Sequence, residues 1–300
     1  MGTIRIGTSE AGGTFHTQGL AIAEVARASG VTDTIVVETS LSASVGNALR
    51  LAAGELEFGF MASNWIGRAK EGKPPFNCSV ALRMASPVNA GPLFFITLAN
   101  SPLQSVSDLV GRRIAVGLED SGMVQHVHTI FDVLGISFED FTPIYLAFAD
   151  GAAALEAGEG DAQFQCPVPN QVMTDLCQRS EIRILEHGPK HLDRLIAAVP
   201  YYRPVVMTAG TLRGLHTDTA QVGVLNVLVT HERVANELVT EIVLAMTAGA
   251  SELARLNPLY TGLKTLYEPL RTIGRAAYEI DDVPLHSGAV QAYRDVGLLN

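Results

Sequence analysis

The sequence predicts an α/β protein of two lobes, each a mostly parallel sheet flanked by helices, with two chain crossings between them. Three observations predict it. A chain of 300 residues with 47% hydrophobic content reaches the size at which one core usually splits into two. Each half opens on a short strand ending in glycine, followed by a turn and an amphipathic helix. Each half also carries a similar phrase, L-A-A-G-E-L-E-F-G-F from Leu51 to Phe60 and L-E-A-G-E-G-D-A-Q-F from Leu155 to Phe164.

The first strand is I-R-I-G, Ile4 to Gly7, and the turn G-G-T-F-H runs from Gly12 to His16. Leu20, Ala23, Ala26 and Arg27 then stand at helical spacing, and Gly30 stops the helix. The second half repeats this with I-A-V-G, Ile114 to Gly117, and a D-S-G-M turn, Asp120 to Met123. Its helix carries Val124, Val127, Phe131 and Leu134 and ends before Gly135. Gly54 and Gly158 take the helix-stop position of the repeated phrase, where positive φ costs glycine least. The strands that follow end in Ala62-Ser63-Asn64-Trp65 and Cys166-Pro167-Val168-Pro169.

Alternation at this spacing implies βαβ units, whose ligands bind beyond the carboxyl ends of the strands. Four turns are therefore expected at one ligand cleft between the lobes: Gly12–His16, Ser42–Asn47 with Ser63–Trp65, Asp120–His126, and Gln165–Asn170. The apolar stretch Pro92 to Ala99 is expected to cross between lobes and Pro204 to Thr208 to return. Lobe I is then 1–98 with 206–300, and lobe II is 99–205. Val234, Leu238, Ile242 and Met246 place one helix over Glu232 to Leu256, ended by Asn257-Pro258. A last helix is expected over Leu285 to Leu299.

Composition narrows the function. A net charge of −10 with 21 dispersed Lys and Arg argues against nucleic acid and against a basic membrane face. Three cysteines, Cys78, Cys166 and Cys177, show neither a disulfide framework nor C-x-x-C spacing. No apolar run reaches the length of a membrane span. The first strand begins at once, so the chain is expected either to be cytoplasmic or to have lost a leader.

Four segments in order resemble the TAXI family of solute receptors of TRAP (tripartite, ATP-independent, periplasmic) transporters. They are I-G-T-S-E-A-G-G-T-F-H at Ile6 to His16, S-A-S-V-G-N at Ser42 to Asn47, S-V-S-D-L-V-G-R-R-I-A-V-G at Ser105 to Gly117, and P-L-H-S-G-A-V-Q-A-Y-R-D-V-G at Pro284 to Gly297. The resemblance implies the periplasmic-binding-protein fold, hinge closure on a small carboxylate such as glutamate or 2-oxoglutarate, and TRAP membrane subunits as partners. It also implies a periplasmic location, with a monomeric receptor expected. The sequence departs from the family at His16, where a second aromatic is common, and at Met123, where Thr is usual.

The candidate ligand residues follow from the four turns. Gly13, Thr14, Phe15 and His16 bring backbone N–H groups to a helix start, which favours an anion; the plain alternative is an ordinary turn with a threonine cap. Ser121 with Asp120, Gly122, Met123 and Gln125 is the equivalent in the second lobe, or Ser121 simply caps its helix. Ser44, Asn47, Ser63 and Asn64 offer hydroxyl and amide groups. Trp65, Tyr201 and Tyr202 either cover the ligand or pack locally, and Arg83 either pairs with a carboxylate or makes an ion pair at the hinge. Gln165, Pro167 and Val168 complete the set. His16 and His126 read as neutral hydrogen-bonding groups, because His126 and His128 cannot share a helix face; no metal and no cofactor is expected.

Two other readings stand beside this one. An enzyme on the same fold would use Cys166, yet no local signature supplies a base and an orienting group, so no catalytic residue is expected. A cytoplasmic ligand sensor is the other.

Overall fold

The computed structural model describes residues 3–9, 11–32, 34–119, 121–165, 168 and 170–300. In chain order the elements are β1 (Ile4–Gly7), α1 (Thr14–Ala28), β2 (Ile35–Glu38), α2 (Ala43–Ala53), β3 (Phe58–Ala62), α3 (Ile66–Glu71), β4 (Leu82–Leu98), β5 (Arg113–Ala115), α4 (Gly122–Leu134), β6 (Thr142–Ile144) and α5 (Phe148–Glu156). There follow β7 (Ala162–Gln165), α6 (Gln171–Arg179), β8 (Ile182–Ile184), α7 (Pro189–Ala198), β9 (Tyr202–Met207), β10 (Thr219–His231), α8 (Asn236–Ala248), α9 (Ala250–Leu256), α10 (Leu263–Ile273) and α11 (Ser287–Asp295). The chain forms two compact units, Met1–Asn89 with Leu225–Asn300, and Ala90–Val224.

In the first unit β1 lies between β2 and β3, parallel to both, and the Asn226–Thr230 stretch of β10 runs antiparallel on β3. Ile4, Ile6, Phe58 and Phe60 are buried, and Leu51 of α2 is buried against them. The approach of α2 explains the glycine at each strand. A Cβ on Gly7 would stand 2.5 Å from Asn47 Oδ1, and one on Gly59 would stand 3.0 Å from Asn47 Cβ. Gly54 ends α2 in the left-handed region at φ 79°, as the repeated phrase predicts.

The helix expected from Glu232 to Leu256 is two helices. α8 starts at Asn236, and the break falls at Gly249, where a side chain would run into Val25 of α1 and stand 2.7 Å from Ala245 O. Close packing of α8 on α1 thus ends a pattern that is continuous in sequence. α11 packs on α8.

In the second unit β5 lies between β6 and β7, parallel to both, and the Phe94–Ile96 stretch of β4 runs antiparallel on β7. β8 pairs antiparallel with Ile96–Leu98 of the same strand. Phe95, Phe131 and Phe164 form an aromatic core, with ring centroids 5.3 Å and 5.0 Å from Phe95. Gly158 after α5 adopts φ 73°, matching Gly54.

The crossings fall inside long strands, at Asn89/Ala90 in β4 and Val224/Leu225 in β10. They differ from the expected boundaries at 98/99 and 205/206. β9 forms a hairpin with Thr219–Val224 of β10, so 206–224 group with the second unit. A continuous strand on either side of a crossing gives the sequence no break to read.

Candidate functional site

At the carboxyl end of β1, the Thr8 hydroxyl donates to Glu38 O (2.7 Å) and anchors the chain before it turns into α1. Gly13 precedes the helix and has no side chain to cap it; Ser9 Oγ accepts from His16 N–H (3.3 Å), and no acidic residue stands in the first turn. The amino end of α1 therefore keeps its partial positive charge. Gly12 N–H donates to His16 Nδ1 (3.2 Å), which leaves the other ring nitrogen to carry the proton of a neutral imidazole. Phe15 is buried and stacks on Phe60 with centroids 5.3 Å apart.

Asn47 is fully buried, and its Nδ2 donates to Thr8 O (3.0 Å) and Phe60 O (2.9 Å). It clasps the ends of β1 and β3, and its Oδ1 is set against Gly7. Both donors of Asn47 are spent on the backbone, which gives it a structural role, while its Oδ1 stays unpaired. Ser44 is spent in the same way: its Oγ accepts from Ala62 N–H (3.0 Å). Ser63 and Asn64, just past β3, differ. Ser63 Oγ and both polar atoms of Asn64 are buried without a hydrogen-bond partner. Asn64 also lines a cavity of about 400 Å³ with Arg68, Lys70 and Asp281.

Sequence reasoning missed a polar cluster in this unit. Asn89 Oδ1 accepts from Gln18 Nε2 (3.2 Å) and Asn226 Nδ2 (3.3 Å), all three residues being buried. Gln18 Oε1 is left unpaired. The signal was available: Asn89 and Asn226 are amides inside apolar strands, where an unpaired polar group costs about 1–3 kcal/mol.

In the second unit Ser121 caps α4, its Oγ accepting from Val124 N–H (3.4 Å), which is the ordinary structural reading. Gly122, Met123 and Gln125 form the first turn of that helix. His126 and Tyr202 are buried and joined by Nδ1 and the phenol oxygen (2.9 Å). Burial pulls the His126 imidazole down to about 4, so the ring is neutral. Tyr202 is completely buried, with Tyr201 packed edge-on at 5.2 Å, which matches the local-packing alternative for this pair. Val168 likewise belongs to the apolar cluster of Phe94, Ile96 and Met173. Gln165, at the end of β7, is fully buried with both amide atoms unpaired.

Arg83 is a further correction. Its guanidinium meets Glu232 Oε2 (2.5 Å) and donates to Leu82 O (2.8 Å). Glu232 N–H donates to Ala81 O, and Thr230 stands opposite Phe58 at the start of β3. Arg83 thus sits at the amino end of β3, the wrong end for the turns at Thr14 and Ser63. Trp65 packs on Phe76 (6.3 Å) with Arg68 over its ring (5.9 Å), so it is held locally. Asp120, Cys166 and Pro167 lie outside the described residues. Among the described residues no group of three His, Cys, Asp or Glu could hold a metal, and no helix is long and apolar enough to cross a membrane.

The fold is that of periplasmic solute-binding proteins. The chain is similar to a TctC solute-binding protein from Polaromonas, with 14% identity, 86% of each chain covered and a TM-score of 0.58. It is similar to a putative periplasmic sulfonate-binding protein, SsuA, from Methylobacillus flagellatus, with 14% identity, 99% and 96% coverage and a TM-score of 0.55. A putative L-cystine ABC transporter protein from Listeria monocytogenes gives 15% identity, 88% and 97% coverage and a TM-score of 0.51. Residues 6–297 match the NMT1-like family, and the chain belongs to that family.

Proposed function

We propose that this chain is an extracytoplasmic solute receptor that captures a small organic acid and delivers it to a membrane transporter of the TRAP type, acting as a monomer without metal or cofactor. The observation that carries the acid reading is the amino end of α1, which has no acidic residue in its first turn, with unpaired Ser63 and Asn64 in the same unit at the end of β3. Backbone N–H groups and a helix dipole hold an anion without a lysine cluster. The contact residues on this reading are Gly13, Thr14, Phe15, His16, Ser63 and Asn64 in the first unit; the second unit's own candidates are Gln165 and the turn at Ser121 to Met123. Proteins of similar fold support it, since they include sulfonate-binding and TctC solute-binding members.

The fold is shared with binding proteins, and Cys166 supplies no catalytic argument, so the enzyme reading has no support of its own. A thermal-shift screen of mono- and dicarboxylates, aromatic acids and alkanesulfonates, with sugars and amines as controls, tests the proposal. A ligand at about a hundred times its dissociation constant adds roughly 2.7 kcal/mol of stability. Stabilisation by acids, reduced in Ser63→Ala, is the expected result. Stabilisation by sugars or amines and by no acid would overturn it.

A further inference from the structure

We infer that, in the second unit, the polar contacts to the solute are made by His187, Gln221 and Gln165, and that the solute carries a hydrogen-bond donor, a hydroxyl or an amino group, beside its acid. This rests on the organic-acid reading and narrows it.

The three side chains flank one stretch of β4, around Phe94 and Phe95. Gln165 stands opposite Phe94. On the other edge of the strand, Leu185 N–H donates to Phe95 O (2.8 Å). Gln221 Nε2 reaches Leu185 O (3.2 Å), two residues before His187. All three are more than nine-tenths buried. Yet Gln221 Oε1, both ring nitrogens of His187 and both amide atoms of Gln165 have no partner. Five unpaired atoms flanking one stretch of a strand are costly for the fold by themselves, at about 1–3 kcal/mol each, and a bound polar molecule is what would satisfy them.

Their chemistry limits what that molecule is. Gln221 has committed its nitrogen to a backbone carbonyl, so its free oxygen is an acceptor that cannot be exchanged for a donor by turning the amide. Burial, with the charge of His191 second, lowers His187 to about 4, which leaves a neutral ring with one donor and one acceptor. Gln165 offers one of each kind. A carboxylate can take the donors, but it has only acceptors to set against Gln221 Oε1, the free imidazole nitrogen and Gln165 Oε1. A hydroxyl or amino group supplies the missing hydrogens.

Calorimetry on the full chain with matched probes separates the outcomes: glutarate against 2-hydroxyglutarate and glutamate, and butyrate against 3-hydroxybutyrate. In at least one set the substituted member is expected to bind about tenfold or more tightly than its parent. Gln221→Leu is expected to bring that pair to within about twofold, and His187→Phe to narrow it, with circular dichroism showing both variants folded. The wild-type comparison stands even if a variant does not fold. Equal affinity within every set that binds overturns this inference and leaves the acid reading in place. If none of these acids binds while other acids do, the inference falls alone; if no acid binds at all, both fall.

Discussion

Replacing Asn47 by alanine tests whether this residue is a clasp or a ligand contact. Its Nδ2 makes two buried bonds, to Thr8 O (3.0 Å) and Phe60 O (2.9 Å). Their loss leaves two carbonyls short of a donor at about 1–3 kcal/mol each, and the space vacated beside Gly7 and Gly59 adds to this. Removing the unpaired Oδ1 returns an amount comparable to one of those bonds, so the net loss is about 2–4 kcal/mol. For a unit of this size that lowers the melting temperature by roughly 5–15 °C. Asn47→Asp keeps the shape but turns an acceptor toward two carbonyls, and at neutral pH it is expected to be at least as damaging. Thermal unfolding followed by circular dichroism, with and without a ligand found by screening, is the assay. A melting temperature within about 1 °C of wild type for both variants, or a large loss of affinity with no loss of stability, would refute the clasp.

Two further outcomes are expected. His126 and His187 sit at about 4 in the folded chain against 6.5 for a free imidazole. Folding lowers both, so their contribution is complete above about pH 6.5 and is lost as pH falls toward 4, by roughly 3 kcal/mol each at most. Urea unfolding at pH 7.5, 6 and 4.5 should show the fall, reduced in His126→Gln; a flat profile from 7.5 to 4.5 would contradict it. Arg83→Ala should leave ligand affinity within about twofold and cost less than about 1 kcal/mol, because the side chains of Arg83 and Glu232 are 30% and 50% exposed. A tenfold weaker complex would return Arg83 to the site.

What the sequence made legible is local. Glycine punctuation marked the ends of α2 and α5 through Gly54 and Gly158, and the turn into α1 was readable from G-G-T-F-H. What it hid is where a side chain's hydrogen bonds go. Asn47 and Ser63 are both polar residues among apolar neighbours, yet one is spent on backbone carbonyls and the other is unpaired. Arg83 read as a cation near the turns because nothing local places Glu232, far along the chain, against it. The break at Gly249 depends on how closely α1 passes, which no helical periodicity encodes. Gln221 and His187 did leave a trace, as polar residues next to apolar strand runs.

The two halves arrive at similar chemistry by similar steps. Each repeated phrase ends a helix on a left-handed glycine and enters a strand that pairs parallel with the second strand before it, Phe58–Ala62 on β1 and Ala162–Gln165 on β5. In such a unit the carboxyl end of the strand lies on the same side of the sheet as the amino end of the neighbouring helix. Polar residues there can escape the ladder that consumes backbone groups, and they are also kept from water by the helices packed over the sheet. Ser63 and Asn64 after β3, and Gln165 at the end of β7, are in that position and hold unpaired buried atoms. The shared feature is therefore neutral polarity under cover at a strand end. On the proposed reading it lets a chain carrying ten net negative charges select a polar acid, since dipoles held in place discriminate by where each donor and acceptor stands rather than by opposite charge.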